Sequence, residues 1–408
     1  MKKTLALLLA LAMVFALAAC GSSSAPAADA SGNSAPAAPA TENTAPQNLE
    51  PIKLGAVLSQ TGNNVHGGTQ ALNAMNLLID EVNAAGGVKG RQIQLLVENS
   101  NSEAEQAVNG ALKLTNEENV LALLGPDNGT TATAIKTQVA EVYEIVQISV
   151  VGSSPKLTAD SPKWYFRGAT PSTYQTTDIV DYLVNELGKT RIAVLCDDSL
   201  TDQADSFTSD LAKLGMEPVS MQTHATGNTN FNGQLLATKA TDPDAIMFIG
   251  YPTECASALK QANDMGLDVQ WAGSIGTVYK ELIDLAGGLS EGFIGTIGFT
   301  ATNPREDVQA FVQKYEALYS ETPEHTAGQA YDQLTLILKA IEECDLTFEK
   351  KDLEHDRALI RDWIENQANG FEGLSGTIKY TPDDHTAYKS VNVMIVENGA
   401  WKVLRSSN

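Results

Sequence analysis

The chain has 408 residues, of which 43% are hydrophobic and 19% charged, enough for two or more cores at roughly 100–200 residues per domain. Lys and Arg total 27 against 50 Asp and Glu, a formal charge of −23. A partner with a phosphate backbone needs clustered cations, and the longest basic runs are the pairs Lys2-Lys3 and Lys350-Lys351, so nucleic acid is excluded as a partner.

The amino terminus reads as an address. Lys2 and Lys3 precede the apolar run "TLALLLALAMVFALAA", which has signal-peptide length and leads through small residues to Cys20. The ending "LAAC" resembles a bacterial lipobox, which implies lipidation of Cys20 and a mature protein tethered outside the cytoplasmic membrane, since two or more acyl chains suffice for stable anchoring. Residues 21–50 begin "GSSSAPAADASGNSAPAAPATENTAPQ". Ala, Pro, Ser and Gly with almost no bulky apolar side chain cannot bury a core, so this stretch reads as a disordered tether. Beyond it lie Cys196, Cys255 and Cys344, spaced for neither a disulfide framework nor a zinc site, with one bridge among them left open.

From residue 51 short apolar runs alternate with helical patterns. "IKLGAVL" (52–58) reads as a strand; Leu72, Met75, Ile79 and Val82 then recur at helical spacing as far as Gly86-Gly87. "IQLLV", "VLALL", "IVQISVV", "RIAVL", "EPVSM", "AIMFIG", "VQWAG" and "FIGTIGF" repeat the strand theme with helix-length segments between them. Strands that are apolar throughout and separated by helices imply parallel sheets covered on both faces, here two doubly wound α/β lobes. The seam is expected near "FRGATPSTYQTTD" (166–178) and a return near "GFTATNP" (298–304), ahead of a long helical region over about 305–368. "SVNVMIVENGAWKVL" predicts two strands joined at Asn398-Gly399. The expected division is residues 1–20 leader, 21–50 tether, 51–171 with 300–380 as the first lobe, and 172–299 with 381–408 as the second.

Ligands of doubly wound sheets sit beyond the carboxyl ends of the strands. The loops that leave a strand there are "SQTGNNVHGG", "GPDNGTT", "GSSPK", "CDDSLTDQ", "GYPTE" and "GSIGTVY", with Lys156 their only cation. Exposed amides near Asn128–Thr131 and Ser153-Ser154 suit a carboxylate, so the pocket fits a small polar or zwitterionic ligand better than a polyphosphate. "GLSEG" (288–292) has the spelling of a nucleophile elbow, but a helical pattern precedes Ser290 and a strand follows it, the reverse of what that turn requires. The five histidines, 66, 224, 325, 355 and 385, show no metal-ligand spacing, and no phosphate-loop motif occurs. No catalytic residue, metal or cofactor is expected.

Over residues 50–405 the chain resembles the branched-chain amino-acid (Leu/Ile/Val) binding family of substrate-binding lipoproteins, of the type I periplasmic-binding-protein fold. The opening "IKLGAVLSQTG" and "IDEVNAAGGVKGRQIQLLVENS" carry the likeness, followed in order by "LALLGPDNGTT", "QISVVGSSPKLT", "YFRGATPS", "KTRIAVL" and "IMFIGY". The resemblance implies two lobes joined by a three-strand hinge and closing over a ligand, an importer's permease and ATP-binding-cassette subunits as partners, a monomer, and no enzyme activity; a ligand-sensing module for a membrane receptor is the alternative. It also implies ligand contacts at Thr130 or Asn128, at Val151 and Ser153, at His66 in place of a covering aromatic, at Tyr174 in the lobe connection, and at Tyr251. Two departures stand out. "SLTDQ" puts Thr201 or Leu200 where an aromatic is usual, and Ile275 occupies the position of the acidic residue that receives a ligand's ammonium. A buried ammonium left unpaired is costly, so a carboxylate among Glu254, Asp127, Asp197, Asp198 and Asp202 must substitute, or the ligand lacks that group.

Overall fold

The computed structural model describes residues 49–389 and 391–406. The leader, the lipidation of Cys20 and nearly all of the tether lie outside the described residues.

Apolar runs and amphipathic segments alternate as β1 (Ile52–Leu58), α1 (Val65–Ala84), β2 (Ile93–Asn99), α2 (Ala104–Leu112), β3 (Leu123–Leu124), α3 (Gly129–Ile135), β4 (Gln147–Ser149) and β5 (Tyr165–Arg167). These strands form one parallel sheet in the order β2-β1-β3-β4-β5. The chain then crosses to α4 (Ser172–Asp181), β6 (Ile192–Asp197), α5 (Thr201–Lys213), β7 (Ser220–His224), α6 (Asn232–Lys239), β8 (Ala245–Ile249), α7 (Pro252–Asp264), β9 (Gln270–Gly273), α8 (Lys280–Ala286) and β10 (Ile294–Ile297). It returns as α9 (Glu306–Tyr319), α10 (His325–Glu343), α11 (Leu353–Gln367) and the short pair β11 (Glu372–Gly373) and β12 (Gly376–Thr377), and ends in β13 (Asn392–Glu397) and β14 (Ala400–Ser406).

The second sheet runs β14-β13-β10-β9-β8-β6-β7, parallel from β10 through β7, with β13 and β14 antiparallel at one edge. The hairpin between them turns at Asn398 and Gly399, both at positive φ (56° and 70°), the conformation that an Asn-Gly pair adopts most readily.

Strands buried on both faces need helices on both faces. On the first sheet, Leu54, Ala56 and Leu58 of β1 meet α1, α10 and α11 in one core, while Val57 meets α2 and α3 on the other side. On the second sheet, α6, α7 and α8 cover one face and α4 and α5 the other. Each sheet with its helices is one lobe of an α/β fold.

Two expectations shift. "EPVSM" is expected as a strand, but the strand starts at Ser220: the first bond to β6 runs from the Val219 N–H to Ile192 O at 2.9 Å, and Pro218 before it has no N–H to give. Residues 381–388 were expected in the second lobe and instead stay with the first. The Arg167 N–H donates to His385 O at 2.8 Å, the Ala387 N–H donates to Arg167 O at 3.0 Å, and Tyr388 is buried in the core under α10. β5 is an edge strand, and this segment covers its otherwise unpaired backbone groups. Cys196, Cys255 and Cys344 are free thiols, all buried.

Candidate functional site

Strand order reverses once in each sheet. β1 lies between β2 and β3, and β6 lies between β7 and β8; because successive helices depart to opposite faces there, a crevice opens at the carboxyl ends of those strands. The loops that leave β1, β3, β6 and β8 therefore form the floor of each half of a cleft.

In the first lobe the floor is organised by Asp127. Its Oδ1 accepts the Ser59 N–H at 2.8 Å, its Oδ2 accepts from Asn64 Nδ2 at 2.6 Å, and the same amide nitrogen donates to Asp127 O at 2.7 Å. The residue is fully enclosed, and burial pushes its carboxyl above the usual range in spite of these donors. The chain then enters α1 through His66-Gly67-Gly68. A methyl at Gly68 would lie 2.1 Å from Ser59 O, and one at Gly67 would lie 2.8 Å from the Tyr279 hydroxyl of the other lobe. The glycines let the first turn of α1 press against its own loop on one side and the second lobe on the other.

In the second lobe β6 ends at Asp197, whose Oδ1 accepts from Ser199 N (2.9 Å), Ser199 Oγ (2.6 Å) and Thr226 Oγ1 (2.9 Å). After β8, Tyr251 opens α7; its N–H donates to Glu254 Oε2 at 3.0 Å, and Glu254 Oε1 also accepts the Gly227 N–H. Both Tyr251 and Glu254 are buried, and burial raises both pKa values.

The two lobes touch through these loops. Ser154 Oγ, after β4, donates to Asp202 in the first turn of α5. Glu324, just before α10, accepts from His66 Nε2 at 2.5 Å within its own lobe and from the backbone N–H of Lys280 in the other. Tyr279 inserts between the lobes, edge-on to His66 at 5.6 Å and 4.5 Å from the ring of His325. Burial, and next the nearby His66, drive His325 down to about 3, so it stays neutral. Burial alone would lower His66 as well, but the hydrogen bond and charge of Glu324 outweigh it and raise the imidazole.

The expected contact residues divide accordingly. His66 and Tyr251 lie at the meeting of the lobes. Asn128 is buried at the start of α3, where its Oδ1 caps the helix by accepting from Thr131 N at 3.0 Å, and Thr130 beside it is exposed. Val151 belongs to the first-lobe core, and Ser153 accepts the Ser172 N–H at its carbonyl. Thr201 is exposed at the head of α5 while Leu200 turns into the core. Tyr174 is 40% exposed on α4 within electrostatic reach of Lys389, and is not drawn into the group around Tyr251.

Ile275 follows β9. It is buried with Val278, Ile297 and Met394 in a small apolar cluster and offers no carboxylate. Sequence reasoning missed Glu324, His325, Asn64 and Tyr279, although Asn64 and Tyr279 stand in loops that it singled out. Ser290 donates to Gly287 O in a turn between α8 and β10, so it has no elbow geometry. Among the described residues no group of three or more side chains could hold a metal.

Residues 51–400 match the model of the periplasmic binding protein family. The chain belongs to that family. It is 27% identical over 275 residues to an amino acid binding protein of Pseudomonas aeruginosa, covering 66% of this chain and 72% of that one. It is 24% identical over 317 residues to the Leu-, Ile-, Val-, Thr- and Ala-binding protein of the same organism, covering 77% and 81%. Among solved structures, the branched-chain amino acid transporter substrate binding protein of Streptococcus pneumoniae in complex with isoleucine matches with a TM-score of 0.78 at 26% identity, over 87% of this chain and 98% of that one. The fold is also shared, at 20% identity and a TM-score of 0.75, with a Rhodopseudomonas palustris solute binding protein in complex with 3,4-dihydroxybenzoic acid, over 88% and 97% of the two chains.

Proposed function

We propose that this periplasmic binding protein captures a small polar ligand, an amino acid or a related carboxylated metabolite, between its two lobes and delivers it to the permease of an ATP-binding-cassette importer. The observation that carries the reading is the convergence of two strand-order crevices, with Asp127 and Asn64 on one floor and Asp197 and Tyr251 on the other, clasped by Ser154 with Asp202 and Glu324 with Lys280. Relatives whose names record branched-chain amino acids support the ligand class. His66, Ser153 and Tyr251 are assigned as ligand contacts, with Asn128 and Thr130 at the amide-rich start of α3. Lipidation at Cys20 would hold the protein, as a monomer, on the outer face of the cytoplasmic membrane.

A thermal-shift screen of refolded, ligand-stripped protein tests this. A ligand at 100 times its dissociation constant adds about 2.7 kcal/mol of stability, so one class in a panel of amino acids, amides, polyamines and organic acids should raise the melting temperature by several degrees. A panel that leaves it unmoved throughout sinks the reading.

A further inference from the structure

Asp197 carries an oxygen that the protein does not use. Its Oδ1 gathers three donors, whereas Oδ2 is shut off from solvent and has no hydrogen-bond partner among the described residues. The residue is fully buried, and a buried acceptor without a donor is among the costlier arrangements in a folded protein. Two strands along the same sheet end, Ser274 Oγ is likewise buried and unpartnered.

Between these two strand exits stands Tyr251, within electrostatic reach of Asp197, of Glu254 and, from the opposite lobe, of Asp127. Glu254 and Asp127 have donors on both oxygens. No Lys or Arg forms an ion pair with any of the three among the described residues. His224 is within electrostatic reach of Glu254 and is stacked on Phe248 with Nδ1 against Ala225 O. Three buried carboxylates thus lie within electrostatic reach of one aromatic ring with no Lys or Arg paired to them, while Ile275, packed with Val278, Ile297 and Met394, offers no acid.

Resting on the capture reading above, we propose that Asp197 Oδ2 receives a protonated nitrogen of the ligand, with the Tyr251 ring as wall and Ser274 Oγ as a further acceptor two strands along, so that the cleft selects net-cationic amines such as basic amino acids or diamines. The preference follows from net charge: three carboxylates with no Lys or Arg paired to them favour a ligand of net positive charge over a net-neutral zwitterion, and a dicarboxylate without an amine brings no donor for Oδ2.

Isothermal calorimetry on the ligand-stripped full chain tests it with three probe sets: basic amino acids and diamines, neutral amino acids, and dicarboxylates. The expected result is at least tenfold tighter binding of a member of the first set, weakened at least tenfold by Asp197→Asn. Asn keeps an oxygen for Ser199 and Thr226, so the variant should fold; should it not, Ser274→Ala, which removes no bond that the fold uses, should weaken the same probe severalfold. Tight binding of a neutral amino acid or a dicarboxylate, unchanged within threefold by both variants, overturns the assignment and leaves the capture function standing. Silence from all three sets overturns both.

Discussion

Glu324 is the residue on which closure can be tested most directly. Its backbone N–H is held by Gln70 Oε1 at 3.1 Å, which fixes it at the entry to α10, and its side chain is only 15% exposed. One carboxylate oxygen accepts from His66 inside the first lobe; the other accepts the Lys280 N–H across the gap. Only the second bond distinguishes a closed molecule from an open one. A hydrogen bond to a charged, mostly buried group contributes about 1.5–3 kcal/mol, so Glu324→Ala should weaken ligand binding by roughly ten- to 150-fold at about 1.4 kcal/mol per decade. Since the open form never made that bond, the stability of ligand-free protein should change far less. Calorimetry measures the first quantity, and the fall in the radius of gyration on ligand addition, read by small-angle scattering, measures closure itself. Glu324→Gln, which keeps a carbonyl for Lys280, should recover part of the affinity. An Ala variant that binds within threefold of the parent and contracts to the same extent would refute the clasp.

Two further outcomes follow from the same corner of the cleft. The His66 pKa is raised by Glu324 within the first lobe, so its contribution to folding stability is full below the ordinary value of about 6.5 and is lost as pH rises through the raised one; the melting temperature of ligand-free protein should decline over that window in the parent and stay flat in His66→Gln, and a parallel decline in both would place the proton elsewhere. Gly67→Ala puts a methyl 2.8 Å from the Tyr279 hydroxyl and 3.0 Å from the Asn64 amide; it should cost at least tenfold in affinity, whereas Tyr279→Phe in the same background should restore part of it, and no recovery would mean that the clash lies within the first lobe.

Much of the fold was legible because its signals are local. A mostly apolar run of seven residues at 52–58, a 3.6-residue rhythm behind it and Asn398-Gly399 between alternating runs each fix an element without reference to anything distant. The site is a different matter. His66 and Glu324 are 258 positions apart, and nothing in the spacing of either announces the other; they meet because α1 and α10 pack against the same face of the first sheet. Asn128 shows an ambiguity of another kind. A polar residue in a strand-to-helix loop reads equally as ligand contact or helix cap, and the Thr131 N–H has already claimed its Oδ1.

Ile275 shows how a departure at one residue can point to the right physical question. Its place as a contact was carried by resemblance, and in the structure it packs with Val278 and Met394. What survives is the charge argument: an ammonium in a closed cleft needs a carboxylate, and position 275 offers none. The fold answers with acids at other strand exits, and it does so unevenly. Glu254 spends both oxygens on backbone amides that shape the start of α7, and Asp127 spends both in tying the loop after β1 to the loop after β3. Asp197 alone of the three is half-used. A side chain that is fully satisfied can be explained by the fold it stabilises; one with a dry, unpaired oxygen beside a buried aromatic ring has to be explained by something that arrives.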